Sequence, residues 1–192
     1  ACWQVDFAEA EREYRLALAR LPDCIPARTG LAEVYRHLDK RTEAEKLLRE
    51  ALVVAKKLSD EDRPRQEAEL GCQLGLVIVK DRTRLREAAN LFAEAVRLVP
   101  DHGRARFAWA AALEEMDEWE GAEAQYLRTC EQFPQSQQYR DGLASFYQAQ
   151  VERLSRQQRW REALSYAQKL ARLVPGDRQI AEQLLEIERK AR

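Results

Sequence analysis

Two histidines, four cysteines and a large number of carboxylates are what this 192-residue chain offers for chemistry. A His-based triad or metal centre needs an imidazole held close to a nucleophile, a carboxylate or further ligands. His37 and His102 stand alone in sequence, and His102 falls in a turn just after Pro100, so both are read as solvated polar residues. Cys2, Cys24, Cys72 and Cys130 lack the short paired spacings of a zinc or redox motif and are read as small apolar helix residues. The fragment "LGCQLG" has glycines but no Lys-Ser or Lys-Thr to complete a phosphate loop. The carboxylates alternate with Arg and Lys in runs such as "EAEREYR" and "EAEKLLRE", the pattern of exposed helix faces with opposite-sign neighbours. No pair stands out as acid and base. The expectation is a protein that is not an enzyme, with no catalytic residues, no cofactor and no metal.

Function should then reside in a surface, and the elements that build it follow from composition and periodicity. With 45% hydrophobic and 34% charged residues and only seven glycines, the chain is made of helix formers with few breakers, which predicts an all-α fold. A net charge of −1 supplies no large positive field for phosphates, so nucleic acid is not an expected partner. No run approaches the roughly 20 apolar residues that span a bilayer, and "ACWQVDFAEAERE" turns charged too soon for a signal peptide. No membrane insertion is expected; the chain reads as soluble, with the cytoplasm the favoured compartment. It opens on Ala1, mid-unit, as expected of a piece of something longer.

Three similar phrases punctuate the chain: "ARLPDCIPA" from Ala19, "RLVPDHGRA" from Arg97 and "RLVPGDRQI" from Arg172. Proline cannot continue a helix and biases the preceding residue away from helical dihedrals, so each phrase marks a helix end and a turn. Reading backwards from the prolines gives one repeated face: Ala10, Tyr14, Ala17; Ala88, Phe92, Ala95; Ala122, Tyr126, Thr129; Ala163, Ala167, Leu170. A fifth copy, Ala44, Leu48, Ala51, lacks the proline. Offsets of four and three keep each set on one side of a helix. The intervals between copies are 34, 44, 34 and 41 residues, the period of a stacked helical repeat.

The departures from 34 are also legible. One extra residue falls in the turn "KDRTRL", and nine lie in "VVAKKLSDEDRPRQ", where Val54, Ala55 and Leu58 continue the apolar spacing and predict a long second helix ending near Leu58. Seven more fall between Leu143 and Ala163, predicting a first helix lengthened by about two turns, roughly 10 Å, with Val151 and Leu154 on it. Those two side chains either fold down onto Trp160 or form a projecting docking ridge.

The stretch "GRARFAWAAALEEMDEWEGAEAQYLRTCEQFP", with Trp109, Ala110 and Leu113 in one helix and Ala122, Tyr126, Thr129 and Pro134 in the next, resembles a complete tetratricopeptide repeat. Leu31, Ala32 and Tyr35, then Leu74, Gly75 and Ile78, then Leu143, Ala144 and Tyr147 fill the same first-helix places. The resemblance implies a right-handed α-solenoid of stacked antiparallel helix pairs over the whole chain. Its units would be 1-23 (a second helix only), 25-60, 63-101, 103-135, 137-176 and a capping helix at 177-192, with Ile180, Leu184 and Ile187 against the stack.

It further implies a protein-interaction scaffold whose first helices line a concave groove for a peptide or helix of a partner protein. The groove positions would be Thr29, Glu33, Arg36, His37, Gln73, Lys80, Arg104, Phe107, Ala111, Glu114, Gln138, Asp141, Ser145 and Gln148. Phe107 would be either an anchor or an inter-helix packing residue. The lysine-and-asparagine clamp by which some members hold acidic chaperone tails is absent, since Thr29 and Glu33 occupy places that would carry it. The alternative is a non-catalytic arm of a larger enzyme or export machine, and self-association through terminal repeats is a further expectation.

Overall fold

A computed structural model describes residues 7–192; Cys2 and the start of the first predicted unit lie outside the described residues. The described chain is helical, without strands: α1 (Phe7–Arg20), α2 (Ile25–His37), α3 (Arg41–Ala55), α4 (Arg63–Ile78), α5 (Leu85–Leu98), α6 (Gly103–Glu115), α7 (Trp119–Gln132), α8 (Gln137–Arg156), α9 (Trp160–Leu173) and α10 (Arg178–Ala191). It forms two compact units, unit 1 ending at Ala122 and unit 2 running from Glu123 to Arg192.

Proline sets one class of helix end. α1, α5, α7 and α9 each stop two residues before Pro22, Pro100, Pro134 and Pro175, as the restricted residue ahead of a proline requires. The other class is a left-handed cap. After α2, α6 and α8 the chain turns through Asp39, Asp117 and Gln158, with φ of 58°, 61° and 58°. In each turn the next amide donates back across the helix end: Lys40 to Tyr35, Glu118 to Leu113 and Arg159 to Leu154, at 2.8, 2.9 and 2.9 Å. These bonds occupy carbonyls that the helix leaves unpaired. The turn after α4 differs. It takes up the extra residue as a single 3-10 turn, Arg82–Arg84, whose Thr83 amide donates to the Asp81 carboxylate at 3.0 Å.

The repeated face of the second helices forms the core. In unit 1, Ala44, Leu48, Ala51, Ala88, Phe92 and Ala95 are at most 1% exposed, and they pack with Leu31, Ala32, Tyr35, Leu74 and Ile78 of the first helices. The alanines let helices approach closely while the larger residues fill the space between them. Charge pairs add ties on the outside: the Arg84 guanidinium holds Glu45 of α3 at 2.7 and 2.9 Å and Glu87 of α5 at 2.8 Å. In unit 2 the same face, Ala163, Ala167 and Leu170, is at most 2% exposed.

One expectation needs correction, and one open alternative is decided. α3 ends at Ala55 and has 15 residues, no longer than its counterparts by more than one. Leu58 still packs on the core, but from a turn in which the Lys57 and Leu58 amides bond to Val54 and Ala55. Most of the surplus instead extends the front of α4, which opens at Arg63 with Pro64 in its first turn, where proline's missing N–H costs nothing. α8 does run long, 20 residues against 13 in α2 and α6. Its added turns form no ridge, because Val151 and Leu154 are 0% and 1% exposed, packed with Ala163, Ala167 and Ile187 rather than displayed. α10, capped by the Asp177 carboxylate on the Gln179 and Ile180 amides at 2.9 and 3.1 Å, supplies that cover.

Candidate functional site

In unit 1 the first helices α2, α4 and α6 border a pocket of about 320 Å³. α4 contributes Gln73, Leu76 and Val77, followed by Val79 and Lys80 at its end. Spacings of three and one put Gln73, Leu76 and Val77 on one side of the helix, and Lys80 follows two residues past its end. α2 presents Ala32, Glu33 and Arg36, α6 presents Arg104, and Leu48 of α3 reaches the floor.

The charges in this pocket are unevenly committed. Glu33 and Arg36 form a two-pronged pair, Nε to Oε2 at 2.9 Å and Nη2 to Oε1 at 2.5 Å, which holds the Glu33 carboxyl below the usual carboxylate range. His37 lies 3.2 Å from the same carboxylate on the exposed surface. Arg104 reaches Glu69 only at 3.6 Å, and Lys80 has no ion-pair partner among the described residues.

Glu69 is held chiefly by other groups. The Ala105 amide donates to His102 Nδ1 at 3.3 Å, which leaves the imidazole proton on Nε2, 3.3 Å from Glu69 Oε2. Gln73 Nε2 donates to Glu69 Oε1 at 2.9 Å. The His102 bond, helped by Gln73 and Arg104 against the cost of burial, draws the Glu69 carboxyl down to about 2. His102 is therefore not a solvated residue: its side chain is 13% exposed and it caps α6. Nearby, burial pushes the Cys72 thiol up to about 11 despite Arg104, so it is an inert core residue.

A carboxyl whose folded pKa is lowered stabilises the fold above its unfolded value near 4.5, and that contribution disappears as pH falls toward 2. Glu69→Gln is therefore expected to separate from the parent in thermal melts at pH 4.5 and above, with the gap closing steadily down to pH 2. A gap independent of pH across that window would show that the carboxylate is not held by this network.

The structure distributes the anticipated positions unevenly. Glu33, Arg36, Gln73, Lys80 and Arg104 meet in the unit 1 pocket. Thr29 does not; its hydroxyl donates to the Pro26 carbonyl at 3.0 Å within the first turn of α2. Phe107, Ala111 and Glu114 lie farther along α6, half-buried and outside the pocket. In unit 2, Ser145 and Gln148 line a separate trough of about 400 Å³ with Ala144, Ala149, Glu152, Leu170 and Ile180. Gln138 is exposed, and the Asp141 carboxylate accepts from Gln137 at 2.6 Å. Leu76, Val77 and Val79, part of the apolar lining of the first pocket, were not anticipated, although Leu76 stands three residues from Gln73 on the same helical face.

Among the described residues no three His, Cys, Asp or Glu side chains are grouped to hold a metal, and no helix is long and apolar enough to cross a membrane. Residues 81–146 match the family model described as tetratricopeptide repeat. No curated protein sequence matches the chain. Solved structures share its fold. YrrB, described as a TPR protein with an unusual peptide-binding site, is 20% identical with a TM-score of 0.63, covering 94% of this chain and 84% of its own. MamA is 20% identical with a TM-score of 0.63, covering 97% and 91%. BtubC from P. vanneervenii is 17% identical with a TM-score of 0.61, covering 96% and 81%.

Proposed function

We propose that this tetratricopeptide-repeat chain is a non-catalytic interaction module that holds an extended peptide, or a helix, of a partner protein on the face made by its first helices. The observation that carries the reading is the pocket bordered by α2, α4 and α6, where five separately placed polar side chains converge on an apolar floor. A concave site with a few oriented polar groups over aliphatic carbon is what specific recognition uses. The shared fold with YrrB, a protein whose structure is described by its peptide-binding site, supports the same reading.

Photo-crosslinking tests it. A benzophenone side chain at Gln73, inside the pocket, is expected to capture a discrete partner from cell extract, identified by mass spectrometry of the crosslinked peptide. The same group at Lys46, exposed on α3, is expected to capture none. Crosslinking from Lys46 with none from Gln73 would place binding on the second helices and overturn the assignment.

A further inference from the structure

After α2 and α6 the left-handed residue of the turn is Asp39 or Asp117; after α8 it is the neutral Gln158, with Arg153, Arg156, Arg159 and Arg161 around it in sequence. The last turns of α10 add Arg189, Lys190 and Arg192. Across 152–162 and 186–192, seven cations stand against four carboxylates, a local excess of three positive charges on a chain whose total is −1. The start of α9 and the end of α10 meet within unit 2 in a pocket of about 470 Å³, lined by Arg159, Trp160, Arg161, Glu162, Lys190 and Arg192. Two of its four cations are held. Arg159 bonds Glu162 at 2.6 and 2.7 Å, and Lys190 bonds Glu186 at 2.5 Å with its ammonium 4.7 Å from the centre of the Trp160 ring. Arg161 and Arg192 are exposed and have no ion-pair partner among the described residues. With Glu162 and Glu186 both counted at full charge, the pocket keeps two positive charges, and its concave wall strengthens their field over that of a flat surface. The other carboxylates of the two segments, Glu152 and Glu188, lie outside the lining, as do Arg153, Arg156 and Arg189.

We infer that this pocket receives a phosphate monoester, with Arg161 and Arg192 taking its oxygens and Arg159 and Lys190 completing the positive rim. Such a group carries about 1.5 to 2 negative charges near neutral pH and three acceptor oxygens, which match the excess charge and the forked donors of arginine. A carboxylate brings one charge and two oxygens and leaves half of the excess unmet. The phosphate arrives on a soluble ester or on a lipid headgroup, and the same contacts serve both. The site is made by unit 2 alone and does not depend on the reading of the α2, α4 and α6 pocket.

The test titrates inorganic phosphate into the 192-residue chain, following the Trp160 indole N–H by NMR. In parallel the chain is sedimented with phosphatidylcholine vesicles containing phosphatidic acid or, at equal charge, phosphatidylserine. Arg161→Glu is compared with Arg65→Glu, the same charge change at an exposed site on α4, and circular dichroism establishes that both are folded. Phosphate is expected to shift the Trp160 signal saturably. Arg161→Glu is expected to weaken binding about tenfold or more, while Arg65→Glu leaves it within about twofold. Retention by phosphatidic acid but not phosphatidylserine would support the site with a lipid headgroup as its source. Saturation by phosphate without vesicle retention would support it with a soluble ester. Equal losses in the two variants would show a response to net charge and overturn the inference. Equal retention by phosphatidylserine would overturn the choice of phosphate, and binding of neither phosphate nor phosphatidic acid by the folded parent would remove the site.

Discussion

Phe92→Ala is expected to cost about 3–5 kcal/mol, the range for emptying a buried aromatic site. Such a loss is a large part of the 5–15 kcal/mol that keeps an ordinary domain folded. Phe92 on α5 is 0% exposed, and its ring edge occupies the place where a side chain at Gly75 on α4 would begin: a Cβ there would lie 2.5 Å from Cε1 and 2.8 Å from Cζ. The ring is enclosed and has nowhere to swing, so Gly75→Ala in the parent should destabilise despite alanine's advantage of about 1 kcal/mol in a helix interior. In the Phe92→Ala background the methyl enters vacated space, the steric penalty disappears, and the same substitution should stabilise. Urea unfolding of the four proteins measures the sign change directly, with a coupling of at least ~1 kcal/mol expected for residues in contact. If Gly75→Ala acts equally in both backgrounds, the ring does not press on Gly75 and the close approach of α4 and α5 is wrong.

Val151→Asp is expected to destabilise by about 3–5 kcal/mol at pH 7, because it leaves a charge in the core without a partner. Val151 is 0% exposed and packs in a cluster with Leu154, Ala163, Ala167 and Ile187, none of which offers a cation. Burial would raise the new carboxyl's pKa above the unfolded value near 3.9. The variant then loses least where the group is protonated in both states, and the loss grows as pH rises past the unfolded pKa. Unfolding of variant and parent compared at pH 4 and pH 7 should show the smaller difference in acid. A loss below ~1 kcal/mol at pH 7, typical of surface substitutions, would return Val151 and Leu154 to the surface and revive them as a docking ridge.

Helix formers, four prolines at matched places and the Ala-aromatic frame are local facts of the chain, and each acts over one or two turns. They sufficed for the all-α repeat and for the ends of α1, α5, α7 and α9. The added length of α8 was legible for the same reason, as no breaker interrupts Leu143 to Trp160. The boundary between α3 and α4 was not. Val54, Ala55 and Leu58 keep helical spacing, yet a tight turn after Ala55 also brings Leu58 onto the core, so apolar periodicity describes both outcomes. Similarly, Val151 and Leu154 read alike as ridge or core until α10 is seen to place Ile187 on them.

The candidate site divides along the same line. Helical register alone put Glu33 and Arg36 on one turn of α2, whereas Gln73 lies on α4 and Lys80 in the turn two residues past its end. Which of those charges remain available to a ligand depends on partners far along the chain: Glu69 is bonded by His102 across α4 and α6, Arg104 is held loosely by Glu69, and Lys80 has no ion-pair partner among the described residues. Spacing within one helix specifies the face a side chain shares. Only packing between helices specifies which charges it meets there, because Coulomb and hydrogen-bond energies depend on distances that a one-dimensional pattern does not contain.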